Sequence, residues 1–107
     1  MTKVSQNTEI WAGDDMLLRF GIFDSNGSSQ DMTGNTASWI LQDEENSASV
    51  IVQKDTTITG CFVDVSISGS DDTATLSGLY YHELSATASG SSVTLATGTI
   101  KINKSSI

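Results

Sequence analysis

Apolar and polar residues alternate with a period of two in several short stretches of the chain, the pattern of strands with one dry face and one wet face. The cleanest stretch runs from Gly60 to Ser68, where Cys61, Val63, Val65 and Ile67 share one side and Phe62, Asp64, Ser66 and Ser68 the other. A second runs from Met16 to Asp24, with Met16, Leu18, Phe20 and Ile22 inward. It stops at Asp24-Ser25-Asn26-Gly27, where Asn-Gly supplies the positive φ of a tight turn and the aspartate can bond the backbone ahead of it. Thr36 to Gln42 predicts a third strand, with Ala37, Trp39 and Leu41 inward and Trp39 the leading core aromatic. Ser49 to Lys54 carries the β-branched residues of its hairpin partner, across the polar loop from Asp43 to Ser47.

Ser70 to Leu76 breaks the alternation. Ser70 or Asp71 as N-cap, acids in the first turn and Leu76 pointing back to the core predict one helical turn at a crossover. Gly78 then opens a strand to Ala86 with Tyr80, His82, Leu84 and Ala86 on one face. A turn over Ala88–Ser92 leads to a last strand from Val93 to about Ile102, where Gly98 marks a bulge or a close backbone contact.

About seven short strands separated by turns predict an all-β sandwich of two antiparallel sheets, with a small barrel as the rival. The ending Leu76-x-Gly78-x-Tyr80 has the form of a tyrosine corner, in which a late-strand hydroxyl bonds back to an upstream loop. That feature tilts the choice to an immunoglobulin-like β-sandwich with one short helical turn. The division expected is an N-terminal arm or edge strand over 1–12, the sandwich over 13–103 and a short tail over 104–107.

Length and charge narrow the function. A chain of 107 residues forms one core and needs neither disulfide nor structural metal. With 13 acidic and 5 basic residues the net charge is −8, which argues against a nucleic-acid backbone or an anionic membrane as partner. No stretch approaches the roughly 18 apolar residues of a membrane span. The start lacks the apolar segment of a signal peptide, so synthesis in a cytosol is expected. The single cysteine, Cys61, alternates with Val63 and Val65 and reads as a small buried hydrophobe.

Candidate chemistry is sparse. His82 is the one histidine, with no Gly-x-Ser-x-Gly elbow to accompany it, and reads as a packed structural residue. Asp24-Ser25-Asn26-Gly27 has the look of the start of a calcium loop, but the closing glutamate of such a loop would fall at Asn35. The acidic pairs Asp14-Asp15 and Asp71-Asp72 read as turn and cap residues. No catalytic residue, metal or cofactor is expected. Trp11, Phe23, Phe62 and Tyr81 fall outside the inward faces; clustered, they would form a patch for a protein partner or a sugar ring. Met1 to Ile10 shows little periodicity, as expected of an arm that orders on a neighbour and can be removed without loss of the fold. The partner-binding candidates are Val4, Ile10, Trp11, Phe62 and Tyr81.

A set of segments carries a resemblance. Gly13-Asp14-Asp15, Phe20-Gly21-Ile22-Phe23-Asp24, Gly27, Asp31-Met32-Thr33-Gly34, Trp39-Ile40-Leu41, Asp72-Thr73-Ala74-Thr75-Leu76, Gly78 to Leu84 and Ala96 to Ile102 follow one another in an order and spacing similar to a known family. They resemble the small immunoglobulin-like domains of tailed-bacteriophage virion proteins, such as the N-terminal domain of phage baseplate upper proteins and related head and tail accessory modules. The chain departs from that pattern in having no proline, in placing His82 where an aromatic is common, and in ending where baseplate proteins continue into an oligomerising region. The resemblance implies a non-enzymatic virion structural protein that decorates the capsid or serves the neck, tail or baseplate. It implies contacts with phage coat or tail proteins, many symmetric copies or a homo-oligomer on the virion, and manufacture in the host cytoplasm. The alternative is a carbohydrate-binding or host-adhesion module using Trp11, Phe62 or Tyr81.

Overall fold

The computed structural model describes residues 4–5, 7–45, 49–88 and 90–104. Strands make up 59% and helix 5%, so the all-β expectation holds, and the strands form two facing sheets in a sandwich-like arrangement. Eight strands occur among the described residues: β1 Val4–Ser5, β2 Thr8–Trp11, β3 Met16–Gly21, β4 Thr36–Gln42, β5 Val52–Thr57, β6 Phe62–Ile67, β7 Gly78–Ala88 and β8 Ser91–Asn103. The larger sheet has the order β1-β8-β7-β4-β5, with β2 also on β8, and the smaller sheet is β3 with β6.

The alternating segments fold as their patterns dictate. Leu18, Phe20 and Ile22 from the β3 segment and Val63, Val65 and Ile67 from β6 are buried. They face Ala37, Trp39 and Leu41 of β4, His82, Leu84 and Ala86 of β7, and Ile100 and Ile102 of β8. Burying a full Val, Leu, Ile or Phe side chain contributes about 1.5–3 kcal/mol, so this interlayer is the main source of stability. The turn at Asp24 is pinned by its own carboxylate, whose Oδ1 accepts from Asn26 N at 2.9 Å and Ser28 N at 3.0 Å, with Gly27 at φ +84°.

Of the two readings of residues 1–12, arm or edge strand, the described residues take the edge strand: β1 and β2 pair parallel to β8, with Val4 opposite Ala96 and Trp11 opposite Asn103, and this corrects the expectation of two purely antiparallel sheets, because the larger sheet is mixed. Its core extends back to Ile10 and Ala12. The fifth strand starts at Val52, three residues later than the Ser49 expected, because Val50 and Ile51 are exposed beyond the end of the β4 ladder. Cys61 is half-buried in the turn before β6 and not in the core. The ladder irregularity of the β7–β8 hairpin falls at Leu95 and not Gly98, since Leu84 faces Ala96 while Ser85 faces Thr94. Gly98 lies directly opposite His82, where it puts no side chain in the way of the imidazole.

The helical turn spans Gly69–Thr73 and is preceded by Ser68, two or three residues earlier than the cap expected at Ser70 or Asp71. It is wedged against the β2–β3 connection: Gly69 N donates to Asp15 Oδ1 at 2.8 Å and Gly13 N to Thr73 Oγ1 at 3.2 Å. A Cβ at Gly69 would stand 2.1 Å from the Gly13 carbonyl oxygen, so glycine is required by close approach. Asp72 accepts from Ser68 N at 2.8 Å and pairs with Lys54 at 2.9 Å. Lys54 is an inward charge on the edge strand β5, a placement that disfavours addition of a further strand there.

Candidate functional site

Three places merit chemical description: a buried histidine at the joint of the two sheets, and the two outer faces.

His82 sits on β7 and is 1% exposed. Trp39 Nε1–H donates to its Nδ1 at 3.0 Å, which makes the imidazole an acceptor there and places its own proton on Nε2. The Trp39 ring stands edge-on at 6.1 Å, and Phe20 of β3 approaches the imidazole from the other sheet at 5.9 Å. The three rings therefore join β4 and β7 to β3 across the core. The histidine is committed to packing, as its place on the apolar face of β7 implies. Among the described residues, no three His, Cys, Asp or Glu side chains gather in a way that could hold a metal ion.

The outer face of the smaller sheet is a ladder of exposed side chains. Arg19 and Asp64 are direct cross-strand partners and bond in a fork, Nε to Oδ1 at 2.8 Å and Nη2 to Oδ2 at 3.0 Å. The guanidinium also lies 5.1 Å from the centre of the Phe62 ring. The Arg19 hydrogen bonds hold the Asp64 carboxyl below the usual aspartate range, and Asp64 raises the guanidinium in turn. Leu17 completes the row, exposed beside Ser66.

The outer face of the larger sheet presents Glu9 and Trp11 from β2, Thr99, Lys101 and Asn103 from β8, and Leu79, Tyr81 and Glu83 from β7. Asn103 Nδ2 donates to Glu9 Oε1 at 2.8 Å, and Asn7 Oδ1 accepts from Thr99 N at 3.0 Å. The Tyr81 hydroxyl donates to Glu83 Oε1 at 3.1 Å; burial, reinforced by that carboxylate, pushes the phenol up to about 12. Asp43, Glu44 and Glu45, just beyond the end of β4, line an open groove of about 270 Å³ together with Leu79, Tyr80, Tyr81 and Thr99.

The partner-binding candidates scatter over this framework. Trp11 is 52% and Phe62 47% exposed, and they lie on opposite outer faces, so no single aromatic patch forms. Tyr81 is half-buried on the Trp11 side, two strands over and four ladder positions along, roughly 13 Å in the strand direction alone at the usual rise per residue. Ile10 is 3% exposed and belongs to the core: it alternates with Trp11, so one of the two had to turn inward. The side chain of Val4 lies outside what is described. Sequence reasoning missed Leu79, the most exposed large apolar residue among those described, at 65%. The signal was present, because Leu79 and Tyr81 are out of phase with Tyr80, His82 and Leu84.

No family model matches the chain, and no curated protein is significantly similar to it. Among the described residues no helix is long and apolar enough to cross a membrane.

Proposed function

We propose that this chain is a non-enzymatic structural subunit of a tailed-phage virion, an immunoglobulin-like domain that decorates the capsid or serves the neck, tail or baseplate through protein contacts. The observation that carries the reading is the role of the residues behind the phage resemblance. Tyr80 Oη donates to Ser77 O at 3.0 Å and accepts from Ser77 N at 3.2 Å, the bonding of a tyrosine corner. Asp31 Oδ1 accepts from Thr33 N at 2.8 Å, and Thr33 Oγ1 accepts from Gly60 N at 2.7 Å, tying the loop before β4 to the loop before β6. Trp39 fills the centre of the core.

An immunoglobulin-like topology is supported by the strand order. A first strand lies parallel to the last, which continues through β7 and β4 to β5, while β3 and β6 pair opposite. In immunoglobulin domains a cysteine follows the corner tyrosine by two residues and bonds across the core beside a buried tryptophan. Here His82 stands at that position, Phe20 faces it, and Trp39 bonds it. Such a joint needs no oxidising compartment, in keeping with a protein made in a host cytosol.

Many symmetric copies would make weak individual contacts sufficient through multivalency. The test is cryo-electron microscopy of particles assembled in cells that make this protein. Repeated density on the capsid lattice or rings on the neck, tail or baseplate are expected; absence from purified particles would overturn the reading. The carbohydrate-binding alternative rests on exposed Trp11, and flat glycan titration of the protein and of Trp11→Ala would remove it.

A further inference from the structure

The outer face of the larger sheet joins an exposed apolar floor to an acidic rim, and the two together define what it can bind. Leu79 is the most exposed large apolar side chain among the described residues at 65%, and Tyr81 lies two residues along the same face of β7. Asp43, Glu44 and Glu45 line the same open groove of about 270 Å³ as these two residues, with Thr99 on the β8 side. The three acids are exposed, and among the described residues no basic group pairs with them. Outside the groove on the same face, Glu83 accepts from the Tyr81 hydroxyl, and Lys101 stands opposite Leu79 on β8. The other outer face is different in kind, since its single arginine already neutralises its aspartate.

We propose that this groove is a docking site for a lysine- or arginine-bearing segment of another protein. An apolar side chain of that segment rests on Leu79 and Tyr81, and its cationic neighbour meets Asp43, Glu44 and Glu45. Charge selects the occupant. A second copy of this chain brings a net charge of −8 to an acidic rim, which repels it, whereas a cationic segment gains attraction and burial together. Lysine and arginine also suit the shape, because their aliphatic stems cover apolar surface while their heads remain at the rim. This names the partner chemistry for the protein-contact role proposed above and rests on that reading.

The probe is a blocked Lys-Leu-Lys-Leu-Lys peptide, with Glu-Leu-Glu-Leu-Glu as control, titrated into the isotopically labelled full chain and followed by amide chemical shifts. The lysine peptide is expected to shift Asp43–Glu45, Leu79 and Tyr81, and to lose affinity as salt is raised. Leu79→Ser, and separately the combined Asp43→Asn, Glu44→Gln and Glu45→Gln variant, each weaken binding about tenfold, the scale of one lost specific contact. All these positions are exposed, and the unshifted core amides of each variant report an intact fold. Equal binding of the glutamate peptide, shifts centred on Leu17 and Phe62, no shifts at all, or indifference to both variants would each overturn the proposal. Concentration-dependent shifts of the same residues without peptide would do so as well, by making the occupant a second copy. Failure here with the protein still found on particles removes the groove and leaves the virion role. Absence from particles removes the virion role whatever the peptide does.

Discussion

On β3, Phe20 turns inward to the imidazole of His82, and Arg19, one residue earlier, turns outward to the ring of Phe62. Both clusters combine an aromatic ring with a polar hydrogen-bonded partner. Solvent separates them. Around His82 no water competes for the bond from Trp39, so losing either partner strands a buried polar group. Around Arg19 the fork with Asp64 makes two charge-assisted bonds, yet both side chains are wet and salt screens them. Bond length and bond number therefore say little about stability until burial is known.

The comparison breaks hardest at the aromatic pair. Phe20→Ala is expected to cost about 3–5 kcal/mol in denaturant unfolding, from lost transfer energy and a cavity between the sheets. Phe62→Ala should stay within about 1 kcal/mol, and equal losses would erase the distinction. The same contrast repeats on β2. Ile10→Ala should cost about 2–4 kcal/mol, while Trp11→Ala moves stability by no more than about 1. A mild Ile10→Ala would restore the view of residues 1–10 as a dispensable arm. Trp39→Phe keeps most of the ring but leaves His82 Nδ1 without its donor, an expected loss of about 1–3 kcal/mol.

The outward cluster is better exposed by pH. The hydrogen bonds from Arg19 lower the Asp64 carboxyl in the folded protein, so their contribution is present above the ordinary aspartate value of about 3.9 and disappears as pH falls through the folded value. The stability gap between the protein and Arg19→Gln should therefore shrink below about pH 4; a gap that widens in acid would contradict the pairing. Tyr81 sets the smallest test, on titration alone. Its phenol should remain protonated past the ordinary value near 10 and lose its proton at about 12, read as phenolate absorbance in Tyr80→Phe protein, where Tyr81 is the remaining tyrosine.

What could be read from the sequence follows the same division. β3, β4, β6 and β7 were legible because each buries most of one face, and a face that must stay dry enforces alternation on its residues. β5 is an edge strand whose inner row includes Lys54 and Thr56, so its pattern is weak and the nearby apolar run misplaced it. β1 and β2 could not be placed because their partner is some ninety residues away, and nothing local in Thr8–Trp11 distinguishes a strand from a loose arm. The candidate surface suffered from reading residue types before phase. Trp11 and Ile10 drew equal attention although neighbours on a strand face opposite ways, and Leu79 drew none although its phase put it outside.

The parallel pairing of β2 with β8 also has a mechanical meaning. Val4 lies beside Ala96 and Trp11 beside Asn103, so the chain enters this edge at one end and leaves it at the other. Tension applied between those points drags the two strands past each other in opposite directions. The ladder bonds, and with them the Ala12 N to Asn103 O bond at 2.8 Å, are then sheared together and cannot peel apart one at a time. Resistance to such a pull is set by how fast the domain unfolds and not by its equilibrium stability.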